Sequence, residues 1–290
     1  FDIDAGWGAD EFEDSVADDF EFPERWDSAD ERYDAREIID ENQELLDEIR
    51  LERIKLLRNG YVLKEIVTDK ADSDEIVFRV KVASGTDGHN VPTGFDGERL
   101  VWLYVRVMDA EGKVIHQSGD LDPNGDVRDL HSAYVHNHEL PLDDELFNLQ
   151  SKFLTFATRG AEREQVIAVP TSLTVTPFLN PETRSAVILG RHFGARKHRI
   201  GIEPNGYRWA EYTVDKSEMT GKGPYKAVIQ LKVAMVPVNL INKIKEVGFD
   251  YGLSARDIAD ALVKGHEVIW EREIKFDVDS DQQSMARNQK

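Results

Sequence analysis

Apolar residues along most of the chain recur at about every second position, which is the spacing of β-strands with one buried face. After Gly60 this alternation runs through segments rich in Val, Ile, Tyr and Trp. The predicted strands lie at "YVLKEIV", "EIVFRVKVAS", "LVWLYVRVMD", "KVIHQSG", "EQVIAVPTSLTV", "YRWAEYTV", "YKAVIQLKVAMV" and "EVIWEREIKFDV". The residues "DAEG", at 109–112, predict a hairpin turn between two of them. Short strands at this spacing predict an antiparallel β-sandwich.

A helical spacing replaces the alternation between Ala35 and about Arg58, where Leu and Ile recur among Glu, Asp and Arg. The residues "RNG" then supply a basic last turn and a glycine that ends the helix. Within the β-rich region, helical inserts are predicted near 143–152, 238–247 and 254–264. In the last of these, Ser254 is a good N-cap and Gly265 ends the helix.

These patterns predict a mostly β fold, an antiparallel β-sandwich with helical inserts, preceded by an acidic arm and one helix. The expected divisions are an acidic, aromatic-containing arm at 1–34, a linker helix at 35–59, a β-sandwich-like domain at 60–278 and a polar tail at 279–290.

Negative charge is concentrated at the start of the chain. The formal net charge is −20, and residues 1–50 account for −16 of it, because they hold 20 acidic and 4 basic residues. Such an arm repels nucleic acid and anionic membranes and favours a basic partner. Purely solvating acidic tails are poor in aromatic residues, yet this arm carries Phe1, Trp7, Phe12, Phe20, Phe22, Trp26 and Tyr33. We therefore expect residues 1–34 to be extended and packed against another chain. A disordered tail that only solvates the chain is the alternative.

The 290 residues contain no cysteine, which excludes disulfides, cysteine-ligated zinc and a covalent c-type haem within this sequence. No run of about 18 apolar residues occurs, so no membrane span is predicted. The sequence also has no Gly-x-Ser-x-Gly elbow, phosphate loop or dinucleotide fingerprint, and we predict a chain that is not an enzyme.

One stretch, "SGDLDPNGDVRDLHS" at 118–132, places oxygen ligands on alternate positions at Asp120, Asp122, Asn124 and Asp126. Calcium takes six to eight oxygen ligands, and Gly125 permits a sharp bend, so this is a candidate calcium site. An EF-hand has a glutamate where this loop has His131, and Pro123 is unusual in such a loop. A turn that needs Pro, Asn and Gly, and no ion, is the alternative.

Histidines supply the other candidate metal or haem ligands. His89 lies in "GHNVPTGFDGER", where it either ligates a metal or haem iron or pins its own loop through backbone hydrogen bonds. In "HSAYVHNHE", His136 and His138 would share one face of an extended segment, and His131 could join them. A solvated edge strand is the alternative.

The main basic patch of the β-rich region is "RHFGARKHRIG", at 191–201. It could receive an anion, a haem propionate or an acidic arm, or be a solvated loop. Its candidate contact residues are Arg191, Arg196, Lys197 and Arg199.

Four stretches together, "GHNVPTGFDGERLVWLYVRVMDAEGKVIHQSG", "SGDLDPNGDVRDLHS", "LDDELFNLQSKFLT" with "GAEREQVIAV", and "ETRSAVILGRHFGARKHRIGI" with "GYRWAEY", resemble a known family. They resemble the haem-free, β-rich C-terminal region of large bacterial multihaem c-type cytochromes, over about residues 36–277. This chain departs from the family because it has no haem-binding motif.

The resemblance implies an extracytoplasmic location, at the periplasm or cell surface, and haem carried only on a partner cytochrome chain or domain in a hetero- or homo-oligomer. It also makes calcium at 118–132 as well supported as a generic turn. The function we predict is a non-catalytic structural or docking subunit that supports electron transfer. A calcium-stabilised binding or adhesion module and a His-ligated metal oxidoreductase remain the alternatives.

Overall fold

Two antiparallel β-sheets carry the fold. The computed structural model describes residues 6–93, 99–129, 132–156, 164–166, 185–187, 190–192, 196–198, 200–238, 241 and 252–278. The first sheet has the strand order β1-β2-β10 and the second has the order β12-β11-β3-β4. Two small sheets, β6-β5-β9 and β7-β8, accompany them. The chain is therefore mostly β, as the alternating pattern predicts.

The strands, in chain order, are β1 Tyr61–Ala71, β2 Glu75–Ser84, β3 Leu100–Met108, β4 Val114–Ser118, β5 Lys152–Phe156, β6 Glu164–Val166, β7 Ser185–Val187, β8 Gly190–His192, β9 Arg196–His198, β10 Tyr207–Asp215, β11 Tyr225–Ala234 and β12 Glu267–Phe276. The helices are α1 Asp10–Glu13, α2 Ala29–Gly60, α3 Ala133–His136 and α4 Ala255–Lys264, with a 3-10 turn at Glu24–Trp26.

Alternate residues of the long strands form one core between the sheets. In β2, Ile76, Phe78, Val80 and Val82 are fully buried. The core continues through every second residue of β3, β10 and β11, because successive side chains of a strand point to opposite faces. The Phe78 ring lies 5.3 Å from Tyr212 in its own sheet and 5.2 Å from Phe276 in the other. These ring contacts join the two sheets.

The helix α2 begins at Ala29, six residues before the expected start. Asp30 and Glu31 occupy its first turn, where acidic side chains interact favourably with the helix dipole. Its second half is fixed to the sandwich: Arg50 and Arg53 lie 2.9 Å and 3.2 Å from Glu267, at the start of β12. Among the described residues, no helix combines the length and apolarity that a membrane span requires.

The predicted helix at 254–264 is confirmed as α4, where Ser254 and Asp257 form a capping box. The predicted helix at 143–152 is wrong. Residues 147–149 instead pair with β3, with Leu103 N donating to Phe147 O and Leu149 N donating to Val101 O. Extended pairing with a buried strand outweighs the local helical spacing here. The helix predicted at 238–247 lies largely outside the described residues.

The described part of the acidic arm is folded, and the expectation of an extended arm is wrong for it. Phe22 is the centre of an aromatic cluster, with ring centroids 5.4 Å from Trp7 and 4.7 Å from Phe20. A side chain at Gly252 would collide with Trp7 and Phe20, so the cluster lies against its own chain. The rings that pack on one another, without a second chain, are those of Trp7, Phe12, Phe20 and Phe22.

Arg32 joins this cluster to α2. Its guanidinium lies 3.7 Å from the Phe22 ring centroid and donates to both carboxylate oxygens of Glu13, at 2.9 Å and 2.6 Å. It also donates to the carbonyls of Trp26 and Asp27. Arg32 is only 6% exposed, so the ion pair with Glu13 is buried. Removing one partner of a buried pair is strongly destabilising, because the other charge is left buried and unpaired.

Replacing Arg32 with Met should release the arm from α2. Glu13 would remain buried without its cation, a change that typically costs about 3–5 kcal/mol. We expect limited proteolysis to cut residues 6–28 at least about tenfold faster, while the melting temperature of the sandwich stays unchanged. Arg25→Met, at an exposed position of the same arm, is the matched control. Equal cleavage rates for the two variants would contradict this role of Arg32.

Candidate functional site

Residues 118–129 form a tight turn after β4, and Ser132 then caps α3. Leu121 pairs with Val127 in an isolated antiparallel bridge. Asp122 N donates to Asp126 O at 2.8 Å, and Gly125 N donates to Asp122 O at 2.9 Å. Pro123 and Asn124 therefore form the tip of a short turn, with geometry that this sequence favours.

The Asp122 carboxylate holds the turn together from inside. Its Oδ1 accepts hydrogen bonds from Asn124 N at 2.8 Å and Asp126 N at 3.0 Å. Its Oδ2 accepts from Ser132 Oγ at 2.6 Å, and Ser132 Oγ in turn accepts from Val135 N as the N-cap of α3. Because Asp122 is 5% exposed, these bonds satisfy a charge that would otherwise be buried unpaired.

Asp120 is engaged by a different partner. Its Oδ1 accepts from Arg128 Nε at 2.9 Å and from Arg128 Nη2 at 2.6 Å. Arg128 also donates to Pro141 O at 3.3 Å and lies 4.0 Å from the Asp143 carboxylate. Asp120 thus connects the turn to the segment that follows α3.

Two glycines of the segment have close neighbours. Gly119 has φ 77°, and a Cβ there would lie 2.0 Å from Leu103 O. Its carbonyl accepts from Trp102 Nε1 at 3.0 Å. Gly125 has φ 88°, and a Cβ there would lie 2.6 Å from Val263 Cγ2 on α4. Any larger residue would therefore push the turn away from β3 or α4.

The structure thus shows a turn whose first two aspartates are held by the chain itself. Asp120 and Asp122 bond to Arg128, Ser132 and backbone amides, as described above. Within the described part of the chain, no group of three or more His, Asp or Glu side chains is placed to hold a metal ion. Calcium bound to Asp120, Asp122, Asn124 and Asp126 stays a prediction.

His89 is exposed and contacts its own loop. Its Nδ1 lies 3.1 Å from Asn90 O, and its carbonyl accepts from Thr86 Oγ1 at 2.6 Å. Val91 follows in an antiparallel bridge with Ile202. These contacts agree with the loop-pinning alternative, and iron ligation by His89 stays a prediction.

The segment that carries His136 and His138 is not extended, so its backbone lacks the conformation on which the expected shared face depends. Ser132 caps the single helical turn α3, which His136 ends, and His138 follows with φ 61°. A helical turn wins because the Ser132 hydroxyl satisfies one of its free amides. His131 lies outside the described residues, and metal binding by these histidines stays a prediction.

The basic patch falls on two short strands. Arg191 lies in β8, and Arg196 and Lys197 lie in β9. Arg199 lies outside the described residues. For the other three residues the structure describes the backbone and not the side chain. Binding of an anion or partner at this patch stays a prediction.

A buried polar cluster around His116 joins the two large sheets, and the sequence gives no local signal for it. His116 lies on β4, and its side chain is 9% exposed. Its Nδ1 lies 3.0 Å from Glu218 Oε1, within hydrogen-bond distance. Its Nε2 lies 2.9 Å from Glu145 Oε2, an ion pair that is not aligned as a hydrogen bond.

Both glutamates also bind the opposite sheet. Glu145 Oε1 accepts from Thr213 N at 2.7 Å, and Glu218 Oε2 accepts from Asp215 N at 3.0 Å. Thr213 and Asp215 belong to β10. The cluster therefore ties β4, at the edge of the second sheet, to β10, at the edge of the first.

The pKa of His116 follows from this setting. Burial alone would lower the pKa, but the close contacts and negative charges of Glu145 and Glu218 together outweigh burial and raise it to about 9. Burial, followed by the charges of Asp143 and Glu145, raises the pKa of Tyr212 well above its usual value. His116 is therefore a cation at neutral pH, and Tyr212 is neutral.

Asp143 extends the cluster toward the turn. Its carboxylate accepts from Ser118 Oγ at 3.0 Å and from Gly119 N at 2.7 Å. Its Oδ1 also accepts from Glu145 N at 3.2 Å. The turn at 118–132 and the His116 cluster are thus parts of one hydrogen-bonded edge of the sandwich.

His266, just before β12, has the opposite electrostatic setting. Its ring lies edge-on to Trp102, with centroids 5.2 Å apart. Burial and then the positive charge of Lys232 lower the pKa of His266 to about 4. This histidine is neutral at physiological pH.

No protein-family model matches the chain, and no curated protein matches it. Among solved structures, a penta-heme cytochrome c552 from Thermochromatium tepidum is similar, at 16% sequence identity and a TM-score of 0.41. The matched region covers 77% of this chain and 41% of that chain. The chain therefore spans about two fifths of the length of that cytochrome.

Asp122→Ala should destabilise the protein by about 2–4 kcal/mol, because three donors lose a buried acceptor. Chemical denaturation measures this change. Asp144→Ala, at an exposed position outside the turn, is the control. A free energy of unfolding within about 0.5 kcal/mol of the parent protein would contradict the structural role of Asp122.

Calcium binding can be tested on the parent protein and on Asp122→Ala by thermal unfolding. A melting temperature that rises with added calcium, and that no longer responds in Asp122→Ala, would support the calcium site. The same melting temperature in calcium and in chelator would favour the alternative, a turn that binds no ion.

His116 should make stability fall as pH rises from about 6.5 to 9. The folded-state pKa is raised, so the stabilisation is fully present below about 6.5 and is lost through about 9. The expected loss is roughly 2–4 kcal/mol. Unfolding measured across this range should show the slope in the parent protein and in His89→Gln, and not in His116→Gln. A slope that persists in His116→Gln would show that other groups titrate.

Proposed function

We propose that the chain is a non-catalytic structural or docking subunit of an extracytoplasmic multihaem cytochrome assembly. It would cover, space or dock haem-bearing domains and so support electron transfer between them. The haem would belong to the partner, because the 290 residues contain no cysteine for covalent attachment.

The use of the motif "SGDLDPNGDVRDLHS" carries this proposal. It is among the most specific parts of the resemblance to the β-rich region of multihaem cytochromes, and its Asp120 and Asp122 side chains are bonded within the chain. Asp122 closes the turn and Asp120 pairs with Arg128. Side chains that hold the fold together in this way favour a structural role for the motif over a catalytic one.

The acidic arm is the surface that the proposal assigns to a basic partner. In its described part, Asp14, Asp18, Asp19 and Glu21 are exposed, while the aromatic side chains pack on one another. The result is a small acidic lobe at the start of α2. Carboxylates at the rim of an interface steer association and set its specificity, and their effect weakens as salt is added.

Affinity purification of the tagged chain from periplasmic and cell-surface fractions of its source tests the proposal. We expect c-type haem polypeptides to co-purify, detected by a Soret band and by haem staining of a denaturing gel. Recovery should fall in high salt and in a variant with Asp14, Asp18, Asp19 and Glu21 changed to the matching amides. The control for net charge changes four exposed carboxylates of the β-rich region to amides, at Asp87, Glu111, Asp144 and Glu211.

Other outcomes would overturn the proposal in distinct ways. Bound calcium and no haem polypeptide would favour the binding or adhesion module. Bound iron or copper on the purified chain, with turnover of a substrate, would favour the oxidoreductase.

A further inference from the structure

An apolar stripe runs along the exposed side of α2. Its four residues are Ile38, Leu45, Ile49 and Leu56, which are 61%, 53%, 53% and 71% exposed. At about 100° per residue, the four positions fall within about 40° of one another around the helix. Large apolar side chains in one straight line are unusual on a free surface, and they mark an interaction site.

The stripe is separate from the side of the helix that packs on the sandwich. That side carries Arg50, Arg53 and Leu57, of which the two arginines bind Glu267 and Leu57 packs against the core. By the same rotation per residue, the stripe lies about a quarter turn away from this side. The arm contacts α2 through Arg32, near the first helical residue. The contacts of α2 with the sandwich and with the arm therefore leave the stripe exposed.

The spacing of the stripe is that of a coiled-coil seam. Steps of seven, four and seven residues separate its members, which places Ile49 and Leu56 at a positions and Ile38 and Leu45 at d positions. Asn42 occupies the preceding a position. A single asparagine at such a position is a device that selects one register.

Charge divides the helix into two unlike halves. Residues 29–48 contain nine acidic and two basic residues, and residues 50–60 contain four basic and one acidic residue. The stripe is also symmetric about Asp47, since Ile38 and Leu56 are equally distant from it, as are Leu45 and Ile49. A helix with this pattern is complementary to a copy of itself that runs in the opposite direction.

We propose that α2 pairs with α2 of a second copy of this chain, antiparallel, about a twofold axis near Asp47. Ile38 packs against the second copy's Leu56, and Leu45 packs against the second copy's Ile49. Glu41 lies beside the second copy's Lys55, so that each acidic half faces a basic half. This pairing does not depend on the proposed association with cytochromes.

A second copy fits better than an unrelated helix, because α2 itself carries both the acidic half and the basic half that complements it. A partner helix of another protein would need the reverse charge order and apolar residues at the same four steps. The second copy supplies both by symmetry. The interface is then isologous, with every contact made twice.

Sedimentation of the full chain tests the pairing. We expect a dimer at micromolar concentration. Leu45→Glu, at the centre of the stripe, should weaken dimerisation by about a hundredfold or more, because each dimer would bury two unpaired charges against the apolar Ile49 side chains. Leu51→Glu is the matched control: Leu51 is 60% exposed on the same helix and lies on another side of it. An unchanged melting temperature of each monomer verifies that both variants fold.

Direction is tested by cross-linking, which the absence of native cysteine makes simple. A mixture of Ile38→Cys and Leu56→Cys chains should form a mixed disulfide on mild oxidation, and either variant alone should form little. Cross-linking of Leu56→Cys with itself would mean a parallel pair and would overturn the proposed arrangement. A parent chain that stays monomeric, or a dimer equally stable in Leu45→Glu and Leu51→Glu, would overturn the pairing itself.

Discussion

The packing of two antiparallel sheets against each other is the constraint on which the rest of the structure depends. Phe78, Tyr212 and Phe276 meet where the sheets face each other, and valines, leucines and isoleucines of the long strands fill the space around them. Burying one such side chain contributes about 1.5–3 kcal/mol. Strands that end beside apolar residues leave backbone amides and carbonyls without water. These groups therefore need hydrogen-bond partners within the protein at the edges of the core.

The edge formed by β4 and β10 meets that requirement with carboxylates. Asp122 accepts the amides of its own turn, Asp143 accepts the amide of Gly119, and Glu145 accepts the amide of Thr213. The charge that these groups bring inside is balanced by Arg128 and by protonated His116. The turn that follows β4 and the His116 cluster, for which the sequence gives no local signal, are therefore one structural element.

The sequence was sufficient to predict what depends on local spacing. The long strands, the hairpin at 109–112 and the capped helix α4 follow from alternation, turn chemistry and an N-cap serine. It was not sufficient where distant residues decide. Residues 143–152 have a helical spacing, yet Phe147 and Leu149 bond to β3. His116 binds glutamates that are 29 and 102 residues away. The arm carries charge typical of disorder, and its fold depends on Arg32 reaching Glu13.

The central claim is that the segment 118–132 belongs to the frame of the sandwich and does not need an ion to be ordered. Amide hydrogen exchange measured residue by residue tests it most directly. The amides of Gly119, Asn124 and Asp126 donate to buried or partly buried carboxylates, so they should exchange as slowly as those of β3, in calcium and in chelator alike. Fast exchange at these three amides, or slow exchange that appears only when calcium is added, would contradict the account.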